Sequence, residues 1–286
     1  MNQHTLTLRF LGLFTLATIL FIGAAPARAQ EASNDDPKSQ EASNDDPKSD
    51  VMEPDFVVVN LPSTLRLPTH RGNFHLSHRF NENLRQDSLS TQVSSLFGLD
   101  QGANIGLEFR FGVMRHLQAV FQRTSLNRTI QFSAKYDAWH QKGSMPVSVS
   151  GLVSVEGDNN FRRNYAPAVG AVVSRTIAGR LALYASPVFV ANTATGGSDR
   201  RNTGFVGVGA TVRLRSTVYL LGEVSPRIGG FTIGDPAYAF AIEKRVGGHV
   251  FSLAFANGAE TTFRQLAHGG VPQGLYFGFN LSRKFF

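Results

Sequence analysis

From Gly72 onward the chain alternates: apolar side chains recur at every second position through one short window after another. In 103–113, Ile105, Leu107, Phe109 and Phe111 share one face, and Gly106, Glu108, Arg110 and Gly112 share the other. In 127–140, Ile130, Phe132, Ala134, Tyr136 and Ala138 oppose Thr129, Gln131, Ser133, Lys135 and Asp137. In 274–285, Leu275, Phe277, Phe279 and Leu281 oppose Gly274, Tyr276, Gly278, Asn280 and Ser282. A helical period would scatter these aromatics around an axis, whereas a period of two gathers them on one face of a strand. The pattern predicts twelve strands, at 73–80, 103–112, 117–123, 129–140, 146–156, 164–175, 181–192, 203–214, 217–225, 236–244, 249–257 and 274–285. Ten or fourteen strands fit the same pattern with shifted boundaries.

The connections alternate in length. Those at 81–102, 157–163, 192–202, 226–235 and 257–273 are long and polar, and those at 114–116, 141–144, 176–180, 215–216 and 245–248 are short. Only 124–128 is short where a long loop belongs. The face opposite the bulky apolar one is rich in Gly, Ala, Ser and Gln and carries few charges per strand. A soluble sandwich or barrel would put its apolar face inside and its charges outside. The inverted arrangement predicts an all-β fold, a transmembrane antiparallel up-and-down β-barrel with lipid outside and a polar lumen. A mean hydropathy of −0.10 agrees, because alternate residues cancel. The chain ends on Phe285 and Phe286, an aromatic terminus of the kind the bacterial barrel assembly machinery takes as substrate, with Phe285 in phase with the apolar register.

The N-terminal segment has a different character. Residues 1–29 combine an early Arg9, an apolar run from Leu11 to Ala24 and a small-x-small Ala27-Arg28-Ala29 pattern, and are read as a secretory signal peptide. An exact repeat of Gln-Glu-Ala-Ser-Asn-Asp-Asp-Pro-Lys-Ser follows, in a 30–50 leader of net charge −5 expected to be disordered. Residues 51–71 are expected as a periplasmic extension, and 72–286 as the barrel. Residues 51–286 carry a net charge of +10, yet an exported chain without a helix-turn-helix or zinc pattern is not expected to bind nucleic acid. The expected counter-charge is outer-membrane lipid and the phosphates of lipopolysaccharide, facing Arg162, Arg163, Arg200, Arg201, Arg227 and Arg264 in the outer loops. The absence of cysteine excludes disulfides, thiolate metal sites and a lipid-bearing N-terminal cysteine.

The segment Asn73-Phe74-His75-Leu76-Ser77-His78-Arg79-Phe80, followed by Leu96-Phe97-Gly98-Leu99-Asp100 and Ala103-Asn104-Ile105, resembles an uncharacterised family of bacterial outer-membrane β-barrel proteins. Asn60-Leu61-Pro62-Ser63-Thr64 upstream, Gln122-Arg123-Thr124, and Gln141 with Met145-Pro146-Val147-Ser148-Val149 carry the same resemblance over most of 55–286. It implies the fold and an outer-membrane location, and transfers no activity and no functional residue.

The inward register collects Arg79, Arg110, Lys135 and Arg213 against Glu108, Asp137, Glu156, Glu223 and Glu243, with His75 nearby. Four cations against five anions do not make an anion-selective passage. They would either pair into a network that closes the lumen or guide small polar solutes. The loop 81–102 is long enough to fold inward as a constriction or to cap the mouth. His75 and Ser77 share a face, but a hydrolytic site also needs an orienting acid and an oxyanion pocket, so no enzyme is expected. The histidines are scattered without ligand spacing, so no metal or cofactor is expected either. The run Gly204-Phe205-Val206-Gly207-Val208-Gly209 lacks nucleotide-binding spacing and is read as close interstrand packing. The functional expectation is a passive channel for small polar solutes. A structural or surface-interaction barrel with a closed lumen is the competing reading, and a lipid-acting outer-membrane hydrolase ranks behind both.

Overall fold

The computed structural model describes residues 52–86, 88–96, 98–194 and 201–285. The signal peptide, the acidic leader and Phe286 lie outside the described residues. Twelve antiparallel strands close into one barrel: β1 (Gly72–Phe80), β2 (Ala103–Met114), β3 (Leu117–Thr124), β4 (Ile130–Trp139), β5 (Ser148–Gly157), β6 (Arg163–Ile177), β7 (Leu181–Val190), β8 (Thr203–Arg215), β9 (Val218–Ser225, resumed past Pro226 as Arg227–Gly229), β10 (Ala237–Val246), β11 (His249–Ala256) and β12 (Tyr276–Phe285). Pro226 has no N–H to give the ladder, which is why β9 breaks there. Each strand pairs with its neighbour in sequence, and β1 pairs with both β2 and β12, so no sheet edge remains for lipid to meet. Among the described residues no helix is long and apolar enough to cross a membrane.

The alternation of the sequence becomes the wall. Outward residues such as Leu107, Phe109, Phe132, Val153, Ile242 and Leu253 are exposed, Leu253 by 58%. Their inward neighbours, among them Glu108, Arg110, Gln131, Ser252 and Glu243, are buried. Exposed apolar area on this scale is tolerable only against hydrocarbon. Aromatic rings ring the long-loop end: Phe240 packs on Phe255, Phe255 on Phe277, and Phe277 on Phe80, with centroids 5.3, 5.4 and 5.7 Å apart. Long connections gather at this end and tight turns at the other, which in bacterial barrels face the outside and the periplasm. The link between β3 and β4 is a single turn at 125–129, and that between β5 and β6, which the sequence pattern placed among the long connections, is equally short at 158–162, so the rim is low on this side.

Residues 52–69 do not extend away from the barrel as the sequence led us to expect. They fold into its lumen. Val57 bridges Pro62, the Val58 N–H donates to the Leu61 carbonyl at 2.7 Å and the Ser63 N–H to the Phe56 carbonyl at 2.9 Å, making a tight hairpin with its tip at Val59–Asn60. Phe56, Val59 and Leu61 are each exposed by 1% or less. The chain leaves the lumen at the short-turn end, where the His70 N–H donates to the Gly112 carbonyl at 2.7 Å, and then turns into β1. A side chain at Gly112 would collide with the Pro68 carbonyl oxygen, so the exit needs glycine there.

The constriction also comes from elsewhere than expected. Loop 81–102 carries helix α1 (Leu89–Ser94) and stays at the rim, with Val93, Leu96 and Leu99 more than half exposed and Gly98 against the β-carbons of Phe80 and Glu82. The loop that dips into the mouth is 257–275, with helix α2 (Phe263–His268). Phe263, Arg264, Leu266 and Ala267 are all buried. Thr262 caps α2 and Gln265 reaches back to the cap, a capping box that fixes the helix start inside the barrel.

Candidate functional site, the filled lumen

The hairpin tip is held by Glu223 on the inward face of β9. Its Oε2 accepts the N–H of Val59, Asn60 and Leu61, each at 3.0 Å, and its Oε1 accepts the Asn60 side-chain amide at 2.9 Å. The turn directs successive N–H groups to one point, an anion nest that only a carboxylate can fill from the wall. Opposite, Lys135 on β4 donates to the carbonyls of Ser63 and Leu65 at 3.0 and 2.7 Å and pairs with Asp137 at 3.3 Å. Gln118 ties Leu65 and Asp137 together. Arg79 donates to Asn60 and Asn280, and Asn280 donates to the Val59 carbonyl. Thr64 and Ser174 share a hydroxyl hydrogen bond at 2.5 Å. The hairpin is thus fixed by polar groups from around the wall rather than by strand pairing.

His75 binds Asp55 of the hairpin at 3.1 Å through Nδ1, and Asp55 also accepts from Ser282. Glu108 pairs with Arg110 at 2.6 Å, and the Arg110 guanidinium lies over the Phe56 ring. Of the inward residues the sequence singled out, His75, Arg79, Glu108, Arg110, Lys135, Asp137 and Glu223 meet the hairpin or one another, all of them buried. Arg213 is half-buried at the short-turn end of β8, where its backbone N–H donates to the Arg180 carbonyl. Asp55 supplies the orienting acid that the His75 and Ser77 pair lacked in sequence. No hydrogen bond joins His75 to Ser77, however, and the cavity they line is about 20 Å³. A larger one of about 30 Å³, beside Asn60, Glu108, Gln131 and Lys135, holds about two waters at most.

Gly207 and Gly209 were read as interstrand packing. They are inward positions of β8 that make room for the hairpin, since a β-carbon at Gly207 would lie 2.5 Å from a methyl of Leu61. Arg264 was read as an outer-loop cation. It is buried in the mouth instead, with Nε 3.3 Å from Glu156 and a terminal nitrogen 2.5 Å from Asp158. Burial works against ionisation of Asp158, but hydrogen bonds from Arg264, Asn164 and Thr129 outweigh it and hold the carboxyl below its usual value. In the same loop, burial pushes Glu260 up to about 7 against the attraction of its own backbone N–H and of Arg79. Asp55, Asp158 and Glu260 lie outside the alternating windows, so the pattern did not single them out, and it placed Arg264 on the exterior for the same reason. The Thr262-x-x-Gln265 spacing was the one local signal of an ordered helix in that loop.

No curated protein matches the sequence. Several solved structures resemble the fold. The NanC porin aligns with a TM-score of 0.50 at 8% identity, over 76% of this chain and 99% of its own. An outer-membrane channel from Pseudomonas putida F1 aligns at 0.47 and 11%, over 77% and 97%. The outer membrane protein Omp33 of Acinetobacter baumannii aligns at 0.40 and 7%, over 76% and 98%. At these identities the first likeness speaks for the barrel architecture alone. The family model for a membrane bound beta barrel domain (DUF5777) matches residues 55–285, hairpin included, and the chain belongs to that family as a barrel of the bacterial outer membrane.

Proposed function

We propose that the barrel is a gated conduit for small polar solutes, closed by its own N-terminal hairpin. The observation that carries this reading is how the lumen is filled. The wall contributes many small inward side chains, such as Ser77, Ser150, Ser174, Ser186, Gly207 and Gly209, and leaves a bore that a separate segment occupies. A barrel built only to be solid would fill the same space from its strands. The hairpin is held by hydrogen bonds and ion pairs that water can replace one for one, whereas a strand of the wall could not leave. Arg79 Nε, Arg110 Nε, Ser154 Oγ and Glu243 Oε1 are buried without a protein partner, a cost of about 1–3 kcal/mol each that hydration of an open lumen would remove. Loop 257–275 narrows the opposite mouth. With Arg79, Arg110, Lys135, Arg245 and Lys284 facing Glu108, Asp137, Glu156, Glu223 and Glu243, the open passage has little net charge, which suits polar solutes of either sign.

The breadth of the hydrogen-bonding favours the competing reading, a structural barrel that stays shut. Planar bilayer recordings of the full mature protein separate the two. Intermittent stepwise conductance that is mostly closed is the expected result. Persistent silence at high protein load would remove the conduit reading and leave the structural one.

A further inference from the structure

We propose that the low rim between β3 and β6 is a binding site for the phosphorylated glycolipid of the outer leaflet, lipid A. On this side the loops are single turns, and four arginines crowd the edge: Arg123 at the end of β3, Arg128 in the 125–129 turn, and Arg162 and Arg163 where β6 begins. Arg123 pairs across the ladder with Ile130, Ile130 with Gly157, and the adjacent Asp158 with Arg163. At about 4.8 Å per strand the four cations span about 14 Å of rim. Arg123 takes the outward register, beside Phe121 rather than the inward Gln122. Its guanidinium donates to the Asn160 side chain. Arg128, Arg162 and Arg163 are exposed.

Charge complementarity names the ligand. The only acids in 121–132 and 155–165 are Glu156 and Asp158, and both are turned inward onto Arg264. The rim therefore offers cations with no anion of its own. Directly below it, Phe121, Phe132, Phe161 and Tyr165 form an aromatic chain on the lipid-facing wall, with centroid spacings of 5.5, 5.4 and 5.1 Å. Phe132 and Tyr165 are 47% and 48% exposed. Cations above an apolar shelf match a molecule with phosphates on its headgroup and acyl chains beneath. Guanidinium forks bind such phosphates through paired, charge-assisted hydrogen bonds, and the ring faces take the chains. A free anion would use the upper half of this surface and leave the shelf idle.

The test is native mass spectrometry of the full mature protein in mixed micelles. The probes are bisphosphorylated hexa-acyl lipid A, the same lipid without phosphates, and inorganic phosphate. One lipid A should remain bound. The combined variant Arg123→Gln, Arg128→Gln, Arg162→Gln and Arg163→Gln should weaken it at least tenfold, as should Phe132→Ser together with Tyr165→Ser. Changing Arg115, Lys142, Arg180 and Arg215 to Gln at the opposite end removes as much charge and should leave binding unchanged. A heat-dependent gel shift verifies that each variant is folded. Equal binding of dephosphorylated lipid, displacement by millimolar inorganic phosphate, or equal loss in the control variant would each overturn the assignment.

Discussion

In Glu223→Gln the barrel will stand open about a hundredfold more of the time than in the parent protein. The carboxylate of Glu223 gathers the N–H groups of Val59, Asn60 and Leu61 and the Asn60 side chain. Glutamine keeps the size and one acceptor oxygen, but its amide turns two N–H donors toward the backbone N–H groups of the tip and the Asn60 amide, whose own oxygen is engaged by Arg79. Hydrogen bonds to a charged group are worth about 1.5–3 kcal/mol each, and a buried donor left without an acceptor costs about 1–3 kcal/mol. A net loss of about 3 kcal/mol is a factor of about a hundred in the closed-to-open ratio, at about 1.4 kcal/mol per decade. The barrel itself should be untouched, because the ladder of β9 with β8 and β10 does not involve this side chain. Single-channel recording reads the effect as open probability, with step size unchanged. An open probability equal to the parent's would show that the tip is not what holds the lumen shut.

Arg264→Met acts at the other mouth and should be the most destabilising single substitution in the loops. It leaves Glu156 and Asp158 close together in a buried site, with the side chains of Thr262, Thr129 and Asn164 and the backbone N–H of residue 264 as the remaining donors. Removing one partner of a buried ion pair costs about 3–5 kcal/mol. The effect carries a pH signature with a definite sign. The native carboxyl of Asp158 sits below its usual value, so its contribution is present above that ordinary value and is lost as pH falls through the depressed one. The parent should therefore exceed the variant most at neutral pH, and the gap should shrink in acid as the unpaired carboxyls take up protons. Urea unfolding in detergent micelles at pH 7 and pH 3 measures this. A gap of the same size at both would mean that Arg264 contributes packing rather than charge.

The wall of this protein was legible in its sequence because a membrane barrel needs two environments, and each strand must alternate between them. Strand ends fell within a few residues of the pattern, and even the short β3–β4 link marked a true low point of the rim. The contents of the lumen were not legible. Val57-Val58-Val59-Asn60-Leu61-Pro62 does not alternate, and its environment is set by Glu223, 164 positions beyond Val59. Inward charges could be counted but not paired, since their partners come from the hairpin and from α2. Asp55 completes His75, and the Ser63 and Leu65 carbonyls complete Lys135. Arg264 was misplaced for the same reason: a cation in a long polar loop reads as exterior unless the helix that carries it inward is noticed. Gly207 and Gly209 were likewise credited to interstrand packing, because nothing in their own window points to the hairpin that lies against them.

The Thr64→Cys, Ser174→Cys protein offers the most direct test, because the natural chain has no cysteine and these two hydroxyls lie 2.5 Å apart between the hairpin and β6. That spacing suits a disulfide with little backbone movement. In membranes the pair should oxidise readily, the oxidised barrel should be electrically silent, and a reductant should restore stepwise conductance in the same bilayer. Failure of the cross-link to form, or identical currents before and after reduction, would contradict a lumen shut by residues 52–69.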